Sequence, residues 1–156
     1  MKISTKGKYG LRAMIDLAQY SEQEAVSISS IAQRQKISES YLEQLVAKLK
    51  KAGLVVSIRG AAGGYRLARP ASDISVGDVL RALEGDVRAV ICTAQTEEGC
   101  EGEELCVTKY VWQRINESIE KTVDEMMLDQ LVAESRKAQE KAKNHDVDYS
   151  RNSCSG

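Results

Sequence analysis

The stretch ISESYLEQLVAKLKKAGLVVSIRGAAGGYRLAR, residues 37–69, constrains this chain more than any other. Its first half is patterned as a helix. Ser38 is an N-cap residue, and Ile37 before it can staple to Leu42. Leu42, Leu45, Val46 and Leu49 recur at i, i+3, i+4 and i+7, which puts them on one buried face. Tyr41, Gln44 and Lys48 fall on another face, with Ser38 and Ser40 at its start. Gly53 ends the helix, and the pattern then changes at once. Leu54–Ile58 and Tyr65–Ala68 are β-rich runs around a turn over Gly60–Gly64. Few small architectures run from an amphipathic helix straight into a glycine-turned hairpin.

The upstream sequence narrows them further. Thr5–Tyr20 reads as a helix with Leu11, Met14, Leu17 and Ala18 on one face, and Ser27–Lys36 as a short second helix with serine caps. Two short helices joined by a tight turn, the second polar near its exposed start, make a helix-turn-helix, and a hairpin directly after it is a wing. Ser75 begins a further short helix over Val76–Leu83. The expected fold is mostly α with a small β-hairpin wing. It comprises a winged-helix unit over residues 1–85, a cysteine-bearing loop over 86–107, a long dimerisation helix and C-terminal helix over 108–143, and a flexible tail over 144–156.

Charge divides along the same lines. Residues 1–69 carry twelve Lys or Arg against five Asp or Glu, a balance of +7, while residues 70–156 carry ten against eighteen, a balance of −8. A basic half built as a winged helix points to double-stranded DNA. Arg59, at the hairpin tip beside Gly60 and Gly63, is placed to enter a minor groove or grip phosphate. The start of the chain has no apolar signal core and no apolar run approaches a membrane span, so a cytoplasmic protein with reduced thiols and no membrane partner is expected. No Ser/His/Asp set, phosphate-cradling loop or pair of catalytic carboxylates stands out, which argues against an enzyme.

From Thr108 the chain turns helical for about 25 residues, with Trp112, Ile115, Ile119, Val123, Met126, Met127 and Leu131 as a continuous apolar stripe. A winged-helix core does not need so long a cover, so the stripe points to a second copy of the chain as well as to packing against the first helix. Before it lies CTAQTEEGCEGEELC, with Cys92, Cys100 and Cys106 on an acidic, glycine-containing loop. Clustered thiols in a reducing compartment bind metal or sense redox state more often than they form structural disulfides. Three readings stay open at this point: an iron–sulfur cluster, zinc held with His145 or an acid, and a disulfide-forming thiol switch. Glu97, Glu98, Glu101, Glu103 and Glu104 around the thiols disfavour both the free thiolates and an added electron on any bound cluster.

STKGKYGLRAM, ISESYLEQLVAKLKKAGLV, IRGAAGGYRLAR and ISVGDVLRALEG, followed by the three-cysteine loop before Trp112, resemble one family over about residues 1–132. It is the IscR-like family of winged helix-turn-helix transcription regulators, which includes NsrR and CymR, and the three cysteines place the chain with its iron–sulfur branch. The resemblance implies a homodimer that regulates transcription, with an iron–sulfur cluster of the 2Fe–2S kind on Cys92, Cys100 and Cys106, and control of cluster-assembly genes. It implies DNA contact or discrimination by Ser38, Ser40, Tyr41, Glu43, Gln44 and Arg59. Lys109 stands where the IscR pattern has its fourth ligand. The alternative within the family is a cysteine-metabolism or nitric-oxide regulator acting through zinc, thiol oxidation or a protein partner.

Overall fold

The computed structural model describes residues 3–90 and 107–153 of the 156. Helix α1 (Thr5–Tyr20) is followed by α2 (Ile28–Gln35), α3 (Glu39–Lys51), strands β1 (Val55–Ile58) and β2 (Gly64–Leu67), α4 (Val76–Glu84), α5 (Thr108–Glu125) and α6 (Leu128–Ser153). A single 3-10 turn, Ala71–Asp73, links the hairpin to α4. This is the mostly helical winged fold expected from the sequence.

Each early helix starts on a serine whose hydroxyl accepts a backbone N–H: Ser4 for α1, Ser27 for α2, Ser38 for α3 and Ser75 for α4. At α4 the bond is reciprocated by Asp78, which closes a capping box. The core gathers Met14 and Leu17 of α1, Ile31 of α2, Leu42, Leu45 and Leu49 of α3, Val55 of β1 and Val79 of α4. Helices α1 and α4 cross closely at Gly10, where any β-carbon would overlap the Leu83 side chain. The hairpin pairs antiparallel, Val55 with Leu67 through Ile58 with Gly64. Val26 adds a third short edge, since Val26 and Tyr65 exchange both backbone hydrogen bonds, at 2.9 and 2.8 Å.

Two features of the C-terminal half depart from the sequence reading. The stripe from Trp112 to Leu131 is not one helix. Met126 is extended (φ −85°, ψ 110°), so α5 ends at Glu125 and α6 begins at Leu128. The break comes from tertiary pairing. Val76 N–H donates to the Met126 carbonyl at 2.8 Å, and Leu128 N–H donates to the Ile74 carbonyl at 2.9 Å. The exchange buries Leu128 completely, at 0% exposure, in the main core. Beyond it, α6 stays helical to Ser153, through residues where a flexible tail was expected.

Candidate nucleic-acid interface

The outer face of α3 is mostly polar. Ser40, Glu43, Gln44, Ala47, Lys48 and Lys51 are all exposed, opposite the buried leucines. Ser38 caps the helix by accepting from Tyr41 N–H at 3.3 Å and is itself exposed. Tyr41 is half-buried. Its ring meets Tyr9 of α1 edge-on at 6.1 Å, and its hydroxyl lies 3.3 Å from Thr5 Oγ1. Tyr41 therefore joins the polar face of α3 to α1 as well as being partly exposed, a dual role the helical spacing alone did not reveal. At the far end, Lys50 Nζ donates to Ser57 Oγ at 3.0 Å and ties α3 to β1.

The hairpin turn presents Arg59 and Gly60 to solvent, with Gly63 half-buried behind them. Gly60 sits at φ +112°, a conformation that side chains rarely adopt, and Gly63 N–H closes the turn on the Gly60 carbonyl at 3.0 Å. Arg59 thus leaves a tight, fixed turn.

Several positioning contacts were not foreseen from sequence. Asp16, 2% exposed, accepts from Arg34 at 2.9 and 2.7 Å and from Gln35 Nε2 at 2.9 Å. Arg12 donates to the Gln35 carbonyl at 2.7 Å and to its side chain at 3.2 Å. Together these lock the end of α2, and hence the turn into α3, onto α1. The only sequence signal for them was an aspartate on an otherwise apolar face of α1.

α4 is linked in turn to both neighbours. Glu84 accepts from Ser4 Oγ and from the N–H groups of Ser4 and Gly7, capping α1. These hydrogen bonds, that of the Ser4 hydroxyl foremost, hold the Glu84 carboxyl below its ordinary range. Arg81 makes a bidentate pair with Asp124 of α5 at 2.7 and 2.9 Å. Ile119, Val123 and Met126 pack on Val76, Leu80 and Val87. The apolar residues at the start of α5 are exposed: Val107, Tyr110, Val111, Trp112 and Ile115, the last two at 36% and 39%.

Cys92, Cys100 and Cys106 lie outside the described residues, but both stems of their loop are placed. Asn116 of α5 accepts from Ala89 N–H at 2.9 Å and Val90 N–H at 3.3 Å, and donates to the Val90 carbonyl at 2.8 Å. Val107 leads directly into α5. Lys109, in its first turn, carries its ammonium 5.5 Å from the Tyr110 ring centroid. His145 is exposed on α6. Among the described residues no three His, Cys, Asp or Glu side chains gather as a metal site, and no helix is long and apolar enough to cross a membrane.

Residues 3–134 match the Rrf2 family, described as iron-dependent transcriptional regulators. The chain belongs to the Rrf2 family. Among its relatives, the HTH-type transcriptional regulator IscR of Vibrio atlanticus is 42% identical over 135 residues, 86% of this chain and 77% of that protein. IscR of Serratia proteamaculans is 42% identical over 132 residues, 85% of this chain and 79% of that one. Of solved structures, CymR, the global cysteine regulator of B. subtilis, superposes with a TM-score of 0.71 at 42% identity, covering 85% of this chain and 97% of that one. T. potens IscR does so with a TM-score of 0.71 at 47% identity, covering 89% and 91%. This Rrf2 protein is therefore a DNA-binding transcriptional regulator of winged-helix architecture, a class distinct from enzymes.

Proposed function

We propose that this Rrf2 protein is a homodimeric regulator whose DNA binding is set by an iron–sulfur cluster on Cys92, Cys100 and Cys106. The observation that carries the reading is the double role of α5. Both stems of the cysteine loop end on this helix, at Asn116 and at Val107, and the same end of the helix exposes Tyr110, Val111, Trp112 and Ile115. An apolar face of that kind is covered by a second copy, and the stems of the cysteine loop adjoin it.

The donor set fits the group. Three thiols within fifteen residues supply the soft anionic donors that iron–sulfur clusters take. The 2Fe–2S kind, implied by the likeness to IscR proteins, needs one more ligand than the three cysteines give. Lys109 at the matching position is a poor ligand as an ammonium, so one iron of such a cluster would be weakly held, which would suit a sensor. When bound, such a cluster supplies charge and redox sensitivity at the loop.

The chain's own residues carry the effect to the DNA. Asn116 and Val107 hold the loop stems on α5. Arg81 and Asp124 hold α5 on α4, Glu84 holds α4 on the start of α1, and Arg12, Asp16 and Tyr9 hold α1 on the turn and on Tyr41 of α3. On DNA, the polar face of α3, from Ser38 and Ser40 through Tyr41, Glu43 and Gln44 to Lys48, enters the major groove, and Arg59 with Gly60 and Gly63 follows the adjacent backbone or minor groove. The likeness to IscR proteins and the thiols support control of cluster-assembly genes as part of this proposal. The test is anaerobic iron and sulfide analysis with visible spectroscopy on wild type and Cys92→Ala, with operator affinity measured on the same samples. Zinc without iron or sulfide would replace the cluster with a structural metal.

A further inference from the structure

We propose that Lys36, in the turn between α2 and α3, is a phosphate anchor: a cation held in a strained backbone position so that it grips the DNA backbone beside the start of α3. Lys36 lies at φ 55°, ψ 49°, and is the one residue other than glycine with positive φ among those described. That conformation crowds a β-carbon against the following carbonyl, so glycine is its usual occupant, and Asn or Asp is tolerated through local side-chain hydrogen bonds. Lysine has neither advantage.

Nothing within the described residues accounts for the side chain. It is exposed, and it takes part in none of the ion pairs or side-chain hydrogen bonds found there. Glu39, three residues on, is the nearest acid along the chain and does not pair with it. The α2 C-terminal dipole favours a cation, but Arg34 already occupies that last turn. The backbone around Lys36 is nevertheless well fixed. Its N–H and that of Ile37 both donate to the Ala32 carbonyl, and Arg12 holds the Gln35 carbonyl. Two residues later Ser38 opens the recognition helix. The turn thus roots an exposed lysine, unpaired among the described residues, two residues before the N-cap of α3. A DNA phosphate beside the start of α3 supplies the missing partner, and a fixed side-chain root lowers the entropy lost on contact.

The inference rests on α3 being the helix that meets DNA, and the experiment separates the two claims. Binding to a mixed-sequence duplex is measured against salt for wild type, Lys36→Gly, Lys36→Gln and Lys36→Arg, with urea midpoints for each. Lys36→Gly removes strain and ammonium together, so its midpoint should rise while its DNA affinity falls. The slope of log affinity against log salt should drop by about 0.9 for each Lys36 engaged, so between 50 and 200 mM salt the wild-type advantage shrinks about three- to fourfold per contact. Lys36→Gln should show the same reduced slope, and Lys36→Arg should keep the wild-type slope. Slopes unchanged in Lys36→Gly and Lys36→Gln overturn the proposal whatever happens to stability. The α3 reading fails separately, if Gln44→Ala leaves the preference across a panel of sequences unaltered.

Discussion

Glu84 connects two helices through one carboxylate, and its position makes a pH prediction. Its folded pKa is lowered, first by the Ser4 hydroxyl and then by the Gly7 and Ser4 N–H groups. A group of this kind contributes stability at pH above its ordinary value of 4.5 and loses it as pH falls through the lower folded value. Asp86 and Asp124 are lowered too, by Arg88 and Arg81, and act in the same direction. Urea midpoints at pH 7 and pH 3 should therefore fall for wild type, and fall less for Glu84→Gln; equal pH dependence would remove Glu84 as a contributor. On the DNA side, Arg59→Ala should weaken operator binding by about 1–3 kcal/mol if the arginine reads a base or a narrow groove. Unchanged affinity at fixed salt takes it out of the interface. At this scale the sequence was legible where partners are close along the chain. Ser38 and Ser75 announced their caps because the N–H groups they satisfy lie three residues away. Asp16 with Arg34, Glu84 with Ser4 and Arg81 with Asp124 were not legible, because only the packed fold brings them together.

The division of the apolar stripe between α5 and α6 shows where periodicity alone stops. Trp112, Ile115, Ile119, Val123, Met126, Met127 and Leu131 keep helical spacing, and no Gly or Pro interrupts them. The interruption comes from Ile74 and Val76, whose backbone groups pair with Leu128 and Met126. Helical bonds are exchanged for tertiary ones, and Leu128 enters the core. Leu128→Ala should cost about 2–5 kcal/mol, as for other fully buried leucines, readable from urea unfolding. The first half of α5 makes the opposite prediction. Ile115→Glu leaves the monomer's core untouched, since that side chain is exposed. It should convert a dimer to a monomer by light scattering at micromolar concentration and lower operator affinity without touching a DNA contact. Wild type running as a monomer would refute the assignment of that face. The winged helix itself was legible because each of its elements carries its own cap, apolar face or glycine turn.

For the whole molecule, the proposal is that events at the thiols reach the recognition helix through α5, α4 and α1. A ligand shifts the DNA-binding state only by its differential affinity for two arrangements of the chain. Asn116 is the first link, because it pins one stem of the loop to α5. Asn116→Ala should keep its iron and sulfide but lose part of the difference in DNA affinity between loaded and empty protein. Glu43, exposed on α3, is the residue through which loading would change sequence preference rather than affinity alone, since a carboxylate at base edges is tolerated only where a donor such as a cytosine amino group faces it. The most direct test is operator binding, after selection of sites from a random-sequence pool, by cluster-loaded protein, empty protein and Cys92→Ala under anaerobic conditions. The account predicts iron and sulfide in the wild type, their loss in Cys92→Ala, and a binding pattern for Cys92→Ala that matches the empty form and differs from the loaded one. Identical binding by loaded and empty protein across the selected sites would contradict it.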